Sequence, residues 1–386
     1  MASPRLRKGQ APPTHRFFVS TPRGLEGVLL AEMEALGLPE REPTKAGAYF
    51  TGTLEDCYRA NLWLRTAVRV VRVVAAFPCR TERELYAGTS AVEWPEHLEL
   101  GQTLAVRARL GRTPLTHSQF VSRRIKDAIV DQFRARFRRR PSVDARHPDV
   151  QVHAWLDDGR CILSLDSSGW PLFMRGYRDD EGPAPLKENL AAGLVALAGW
   201  HGERPFYDLM CGSGTLPVEA ALLAGNRAPG LLRGRFGFQN WLDFRPGVWA
   251  RLKREARAAA RPVEVPLLAA DRDPHRVEEA RRNARNAGVA EAIAFRVQPL
   301  ADFQPPPGGG LVLVNPPYGE RMGEAKALAP LYKELGDVLK QRCAGMEAYV
   351  FTAHGPLVKA IGLRVSRRDI LFNGPLECRL LRIELY

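Results

Sequence analysis

Strands and helices alternate through the second half of this sequence, and that order restricts the fold more than any other feature. Short apolar segments stand at 205–207, 266–270, 311–314 and 347–352, and amphipathic helix patterns lie between most of them. Such an alternation is what a parallel sheet with helices on both faces requires. We therefore predict an α/β domain with a doubly wound sheet, which ends in a β-hairpin over residues 364–385.

A proline-rich loop follows the most apolar of these segments. The aliphatic run Leu311–Val314 is followed directly by Asn315, Pro316, Pro317 and Tyr318. Ligands of open α/β sheets bind at the carboxyl ends of strands, and two prolines stiffen the loop there. The asparagine side chain, a proline carbonyl and the tyrosine ring then form a receptor for a planar group with an NH2, such as the edge of a nucleobase. The alternative is a turn that only ends the strand.

Two further motifs follow other predicted strands of the same sheet. Strand 205–207 leads into the glycine-rich turn 208–215 and then into a helix. Such a turn lets a nucleotide-like ligand approach the backbone closely, although an ordinary glycine loop is the alternative. Asp271 ends the next strand and is followed by Arg272. An acid at the end of the second strand accepts hydrogen bonds from both hydroxyls of a ribose.

The first half of the chain has a mixed α+β order and no catalytic constellation. Its most informative element is a helix predicted from Ser118 to about Phe137, with apolar residues four positions apart on its core face. Basic residues concentrated on such a helix and on the linker after it favour contacts with phosphates, and a solvated helix face is the alternative. The predicted contacts are Arg123, Arg124, Lys126, Arg138, Arg139 and Arg140.

A basic insertion at residues 226–262 separates the first helix of the α/β half from its second strand. Its arginines are interleaved with aromatic residues, which can stack on bases while the arginines bind phosphate. The alternative is that the rings pack the insertion against the rest of the protein. We favour packing for most of the set Phe236, Phe238 and Trp241.

Composition favours a globular protein with a polyanionic partner. A chain of 386 residues can form two or three domains, and its net charge is +13; a generally arginine-rich proteome is the alternative. Six scattered cysteines without a Cys-x-x-Cys pair predict reduced thiols, no metal site and a cytoplasmic location. We expect no signal peptide and no membrane span. Residues 1–14 are predicted to be a disordered basic tail.

These motifs, in this order and at this spacing, resemble those of the class I amino-methyltransferases that use S-adenosylmethionine. The N-terminal half resembles a THUMP RNA-binding domain preceded by a ferredoxin-like segment. Segments 175–178, 184–190 and 232–238 extend the likeness to the bacterial 23S rRNA guanine-N2 methyltransferases of the RlmL type, over about residues 16–386. The Asn-Pro-Pro-Tyr loop alone does not separate adenine, guanine and glutamine methylases, whereas the whole set is much more specific.

The resemblance implies a fold and a domain order. A class I (Rossmann-like) methyltransferase domain of α/β fold would occupy residues 168–386, behind an α+β RNA-binding region. That region would comprise a ferredoxin-like segment at 15–66 and a THUMP-like domain at 67–167. Some members of the family carry a second methyltransferase domain. Because this sequence stops at Tyr386, we expect one activity only.

The resemblance also implies roles for individual residues. In this family an acid after the third strand contacts the adenine, but Pro299 and Leu300 stand at that place, and nearby Asp302 is expected to substitute. For Asn189 a helix cap is the alternative role. The implied catalytic residues are Asn315, Pro316, Pro317 and Tyr318. The implied contacts of S-adenosylmethionine are Pro185, Leu186, Asn189, Asp208, Met210, Cys211, Gly212, Ser213, Gly214, Thr215, Asp271, Arg272 and Asp302.

The implied reaction is methyl transfer to the exocyclic N2 of a guanine in 23S rRNA, either naked or in a pre-large-subunit particle. The flipped base would bind at the Asn-Pro-Pro-Tyr loop. A tRNA guanine-N2 methyltransferase with the same domains is the first alternative. A DNA adenine-N6 methylase and a non-catalytic RNA-binding assembly factor are the others.

Overall fold

The computed structural model describes residues 12–178, 186–306, 308–318, 322–353 and 355–385, which form two sheets with helices packed on them. The predicted fold class is confirmed, because an α+β region precedes a mainly parallel α/β sheet. Pro185 and most of the predicted basic tail lie outside the described residues. Within the described ranges, no helix combines the length and apolar character that crossing a bilayer needs.

The N-terminal half is built on one continuous sheet. Its elements in chain order are β1 (His15–Ser20), α1 (Glu26–Ala35), β2 (Glu42–Thr44), β3 (Gly47–Gly52), α2 (Leu54–Trp63), β4 (Arg69–Pro78), α3 (Glu82–Ser90), β5 (Thr103–Leu110), α4 (Ser118–Phe137), β6 (Ser142–Val143), β7 (Val150–Asp157) and β8 (Arg160–Asp166). The strand order is β2-β3-β1-β4-β8-β7-β5-β6. Since β4 pairs with both β1 and β8, the ferredoxin-like and THUMP-like segments share a sheet.

One face of this sheet carries the hydrophobic core of the N-terminal half. The stripe predicted on α4 is buried there, and Val121 and Ile125 are fully covered. Helix α3 was not predicted, although its capping signal is in the sequence. The Thr81 hydroxyl accepts a hydrogen bond from the Glu84 amide, and the Glu84 carboxylate accepts one from the Thr81 amide. It contributes Leu85 to the same core cluster as α4.

The C-terminal half has the sheet order of a class I methyltransferase. Its elements are α5 (Glu188–Leu197), β9 (Phe206–Asp208), α6 (Thr215–Ala224), α7 (Pro246–Ala258), β10 (Leu267–Asp271), α8 (Pro274–Asn286), β11 (Ala294–Val297), β12 (Leu311–Val314), α9 (Met322–Arg342), β13 (Glu347–Thr352), α10 (Gly355–Ile361), β14 (Val365–Asn373) and β15 (Leu376–Glu384). The order is β11-β10-β9-β12-β13-β15-β14, with β15 antiparallel to both neighbours. Strand order reverses at β9, so the ligand crevice lies above β9, β10 and β12.

The basic insertion packs on the N-terminal half. Phe236, Phe238 and Trp249 are almost fully buried in the core cluster that also contains Tyr58 of α2. The rings of Tyr58 and Phe238 are stacked with centroids 4.4 Å apart. The favoured packing interpretation is therefore confirmed for these rings, and also for Trp241, which lies under the Arg72 guanidinium.

A buried ion pair ties the two halves together behind the crevice. Arg175, which precedes α5, contacts both carboxylate oxygens of Glu219 on α6 at 3.3 and 3.2 Å. The same guanidinium donates to the backbone carbonyl of Arg65 in the N-terminal half at 2.6 Å. Tyr177 donates its hydroxyl hydrogen to Glu219 as well. Because both charged side chains are 1% exposed or less, this contact is a structural part of the junction.

Candidate active site

The glycine-rich loop between β9 and α6 closes onto the neighbouring helix. Gly212 and Gly214 have φ angles of +51° and +81°, which favour glycine. A Cβ on Gly214 would lie 2.7 Å from the Cβ of Ala280 on α8. Only a residue without a side chain therefore lets the loop and α8 approach this closely. The space next to Gly212 is open, so a ligand can reach the backbone there.

Two acidic residues at the carboxyl edge of the sheet hold this loop. The Asp271 carboxylate accepts bonds from the amides of Gly212 and Asp273, each at 3.0 Å. Asp208 is buried and accepts from the Met210 amide at 3.2 Å. Burial, followed by the nearby charge of Asp271, raises the pKa of Asp208 well above its ordinary value. Asp271 therefore supplies the accessible carboxylate of the pair.

Near Asp271, one acid caps a helix, whereas the predicted residues Arg272 and Asp302 are exposed. Asp273 accepts a bond from the His275 amide at 2.8 Å and so caps α8. Arg272 is exposed. Asp302 is exposed too and lies in a short 3₁₀ turn just after β11, at the same edge of the sheet. Burial raises the pKa of the Cys211 thiol far above its usual range, so this cysteine is not an activated nucleophile.

Arg178 joins the glycine-rich loop to the segment before α5, and sequence reasoning did not single it out as a site residue. Its guanidinium donates to the Leu186 carbonyl at 3.0 Å and to the hydroxyls of Ser213 and Thr215 at 3.1 and 2.9 Å. The segment 175–178 that carried the resemblance was its only signal. Arg178 also lies 3.9 Å from Glu188, whose pKa burial raises to about 7.

Asn189 lies inside α5 and does not cap it. The cap position is Lys187, so the alternative role as a helix cap is wrong. The Asn189 amide nitrogen donates to the Thr66 carbonyl of the N-terminal half at 3.2 Å. Its side-chain oxygen is buried without a hydrogen-bond partner in the described part of the chain. A buried acceptor without a partner is unusual in a folded protein and calls for an explanation such as a bound ligand or water.

The Asn-Pro-Pro-Tyr loop presents a second free acceptor. Asn315 follows β12, which pairs with β9, and its Oδ1 is buried with no hydrogen-bond partner among the described residues. Pro316 is buried and Pro317 is exposed. The Tyr318 hydroxyl accepts a bond from the Asn373 side chain at 3.0 Å, which holds the ring against the β14–β15 hairpin. The loop therefore has a fixed tyrosine and an uncommitted asparagine oxygen.

The six basic residues predicted to contact RNA divide into two groups. Arg124 contacts Glu82 of α3 at 2.9 Å and lies over the Tyr86 ring, and Lys126 pairs with Asp127. These two cations already have partners within the protein. The remaining four are exposed: Arg123, Arg138, Arg139 and Arg140.

The sheet order and the residues at its carboxyl edge define the class. The chain is a class I methyltransferase, and the glycine-rich loop, Asp271 and the free acceptors fit S-adenosylmethionine. A family model described as RMKL-like, methyltransferase domain matches residues 175–382, and the chain belongs to this family. Models of an RlmL ferredoxin-like domain and a THUMP domain match residues 16–71 and 79–166.

Individual relatives agree with this assignment. The chain is 45% identical to a protein of Syntrophotalea carbinolica named Ribosomal RNA large subunit methyltransferase K/L, with 96% of this chain and 53% of the relative covered. The chain thus spans about half the length of this curated relative. It is 41% identical to the Synechocystis sp. protein slr0064, with 97% of each chain covered. The solved structure of SMU.472, complexed with SAH, superposes with a TM-score of 0.88 at 31% identity and covers 97% of this chain and 98% of its own.

Proposed function

We propose that this protein transfers a methyl group from S-adenosylmethionine to the exocyclic N2 of a guanine in 23S rRNA. The observation that carries the proposal is the buried Oδ1 of Asn315 at the carboxyl end of β12, which has no hydrogen-bond partner among the described residues. This strand pairs with β9, from which the glycine-rich loop begins. An acceptor beside a nucleotide-type crevice suits an amine on a planar base.

The Asn315 loop would act by orienting the amine. The lone pair of an exocyclic purine amine is delocalised into the ring, so that the amine is a poor nucleophile. Acceptance of its two hydrogens by Asn315 Oδ1 and the Pro316 carbonyl would favour a pyramidal nitrogen. The Tyr318 ring would stack on the flipped base. Positioning and fixed dipoles would then contribute most of the catalysis. The nitrogen would lose one proton to bulk water as it gains the methyl group, and no covalent enzyme intermediate is needed.

The residues of the crevice would hold the cofactor, which supplies an electrophilic methyl group on a sulfonium. The open backbone at Gly212 suits the methionine portion, and the Asp271 carboxylate suits the ribose hydroxyls. The buried Asn189 oxygen offers a further acceptor on the opposite side. We assign the adenine amino group to Asp302, and this assignment is supported by the exposure of Asp302 just after β11.

Ribosomal RNA is the substrate that the relatives favour. The name of the Syntrophotalea carbinolica relative specifies the large ribosomal subunit, and the THUMP match and the charge of +13 support an RNA partner. A tRNA guanine-N2 methyltransferase remains the alternative.

Methyl transfer to separated RNA classes tests the proposal. The full chain is incubated with labelled S-adenosylmethionine and with 23S rRNA, 16S rRNA or tRNA lacking prior modification. Label is expected in 23S rRNA, and nucleoside mass spectrometry should identify N2-methylguanine. Label in tRNA alone would favour the alternative substrate. Labelled adenine, or binding of RNA without any transfer, would contradict the proposed reaction.

A further inference from the structure

The eight-stranded sheet of the N-terminal half has one face that no described helix covers. Most of the buried apolar residues of α1–α4, and the buried rings of the insertion, join a single core cluster on the other face. Along β7 the residues of that cluster are Val152, Ala154 and Leu156. The alternate residues His153 and Trp155 therefore point to the uncovered face.

Aromatic and basic side chains lie together on this uncovered face. Trp155 is 44% exposed, and its register partner on β5 is Arg109. Two positions away along the same strands, His153 of β7 is the register partner of Arg107 of β5. Both arginines are exposed and have no ion-pair or hydrogen-bond partner in the described residues. On the other side of Trp155 its partner is Ile162 of β8, a half-buried apolar residue.

The same face continues into a cleft beside the linker to the C-terminal half. The cleft is lined by Arg107, Arg146, Gln151, Asp166, Trp170 and Arg235. Trp170 is 49% exposed and packs edge-on against the His147 ring. Asp166 is fully buried in the cleft floor and is paired with Arg69, so it does not oppose a polyanion with a free charge.

We propose that this face is a stacking platform for a single-stranded segment of the substrate RNA, with a base on Trp155 and phosphates on Arg107 and Arg109. An exposed indole next to unpaired arginines is complementary to bases and phosphates together. A duplex, whose bases are stacked internally, cannot offer a base to a flat sheet face. Arg107 also lines a groove between β5 and the start of α4, which contains the basic residue Arg123. The proposal rests on the proposed function in taking RNA as the partner.

The test measures RNA binding by the full chain separately from methyl transfer. The probe is a short fluorescein-labelled oligouridylate, followed by anisotropy, with an RNA duplex of the same length for comparison. Trp155→Ala should weaken oligouridylate binding by about 5-fold to about 150-fold, equivalent to about 1–3 kcal/mol for one stacked base. Trp155→Phe keeps a ring and should bind within a few-fold of the natural protein. Because Trp155 is exposed, neither change disturbs the core.

The arginines are tested through salt dependence. The double variant Arg107→Ala/Arg109→Ala should lower the slope of log affinity against log salt by about 1.4, because each phosphate that a cation neutralises on a single strand adds about 0.7 to that slope. The matched control Arg364→Ala/Arg368→Ala removes the same charge from exposed positions at and just before β14 and should leave the slope nearly unchanged. Ile370→Ala, at an exposed apolar position on β14, is the control for Trp155→Ala.

Three results would overturn the platform. Trp155→Ala could bind oligouridylate as the natural protein does, or it could lose as much affinity for the duplex as for oligouridylate. The third result is self-association of the natural protein that Trp155→Ala abolishes while RNA affinity stays constant. Methyl transfer by the natural protein is measured in parallel. If transfer fails while Trp155→Ala still loses the oligouridylate, the platform stands and the proposed function falls. If transfer succeeds and Trp155→Ala binds normally, only the platform falls.

Discussion

Replacing Asn315 with alanine should affect catalysis much more than stability, because its side-chain oxygen makes no hydrogen bond to any described residue. The oxygen is buried and without a partner in the described residues. Removal of this oxygen therefore breaks no hydrogen bond to the described residues. We expect the free energy of unfolding to change by less than about 0.5 kcal/mol. We also expect little change in affinity for S-adenosylmethionine.

The effect on the rate should be much larger. If the oxygen accepts a hydrogen of the amine chiefly in the transition state, its loss resembles the loss of one oxyanion-hole donor, about 2.7–4 kcal/mol. Turnover should then fall by about a hundred- to a thousand-fold at saturating RNA and cofactor. Asn315→Asp keeps an oxygen at this position and should retain more activity than the alanine variant.

Single-turnover methyl transfer, titration calorimetry with S-adenosylmethionine and denaturant unfolding measure the three quantities. Asn283→Ala is the matched control, because Asn283 is buried and its side chain donates to the Ser213 carbonyl at 2.9 Å. Its loss leaves a loop acceptor unpaired and should lower stability by about 1–3 kcal/mol. A normally active Asn315→Ala protein, or one that loses stability as Asn283→Ala does, would refute the reasoning.

Three other substitutions test the crevice and the junction. Asp271→Ala should weaken S-adenosylmethionine binding by about ten- to a hundred-fold, because hydrogen bonds to a charged group contribute about 1.5–3 kcal/mol. The rate at saturating cofactor should change less. Unchanged cofactor affinity in calorimetry would exclude the ribose role of Asp271. Glu219→Ala should lower the free energy of unfolding by about 3–5 kcal/mol, because it leaves the Arg175 charge buried and unpaired; a small loss in denaturant unfolding would contradict this. Burial raises the pKa of Glu188 from 4.5 to about 7, so the folded state holds the extra proton and stability should fall as pH rises through this interval. Glu188→Gln should flatten that part of a stability-against-pH curve, and an unaltered curve would rule out this assignment.

Local patterns in the sequence were sufficient to predict most of the helices and strands. The four-residue spacing from Val121 to Phe133 predicts α4, and the aliphatic run before Asn315 predicts β12 with its bounds. Both signals depend only on neighbours in the chain. Helix α3 has a single strong local signal, the capping box at Thr81, because Leu85 and Thr89 are its only buried residues. With only two buried residues, the apolar residues of this segment are too few to form a recognisable helical pattern.

Contacts between distant residues could not be predicted in the same way. The Asn189 amide bonds to the Thr66 carbonyl, and Arg175 pairs with Glu219, because two separately recognisable domains pack at one particular angle. No spacing in the sequence encodes that angle. Strand alternation predicts that Trp155 and Val152 lie on opposite faces of β7. Which of the two faces the helices cover depends on the path of the whole chain.

The packing of residues 226–262 determines which parts of this protein can be exchanged as a unit with a related protein. Phe236, Phe238 and Trp249 complete the core around Tyr58, although they lie beyond the glycine-rich loop in the chain. A recombination event that exchanged only the first 167 residues would leave these rings against a foreign surface. The N-terminal structural unit is therefore formed by two separate stretches of the chain. A successful chimera must carry 226–262 with the N-terminal half. A substitution on one side of this contact should be tolerated best when a residue on the other side changes with it.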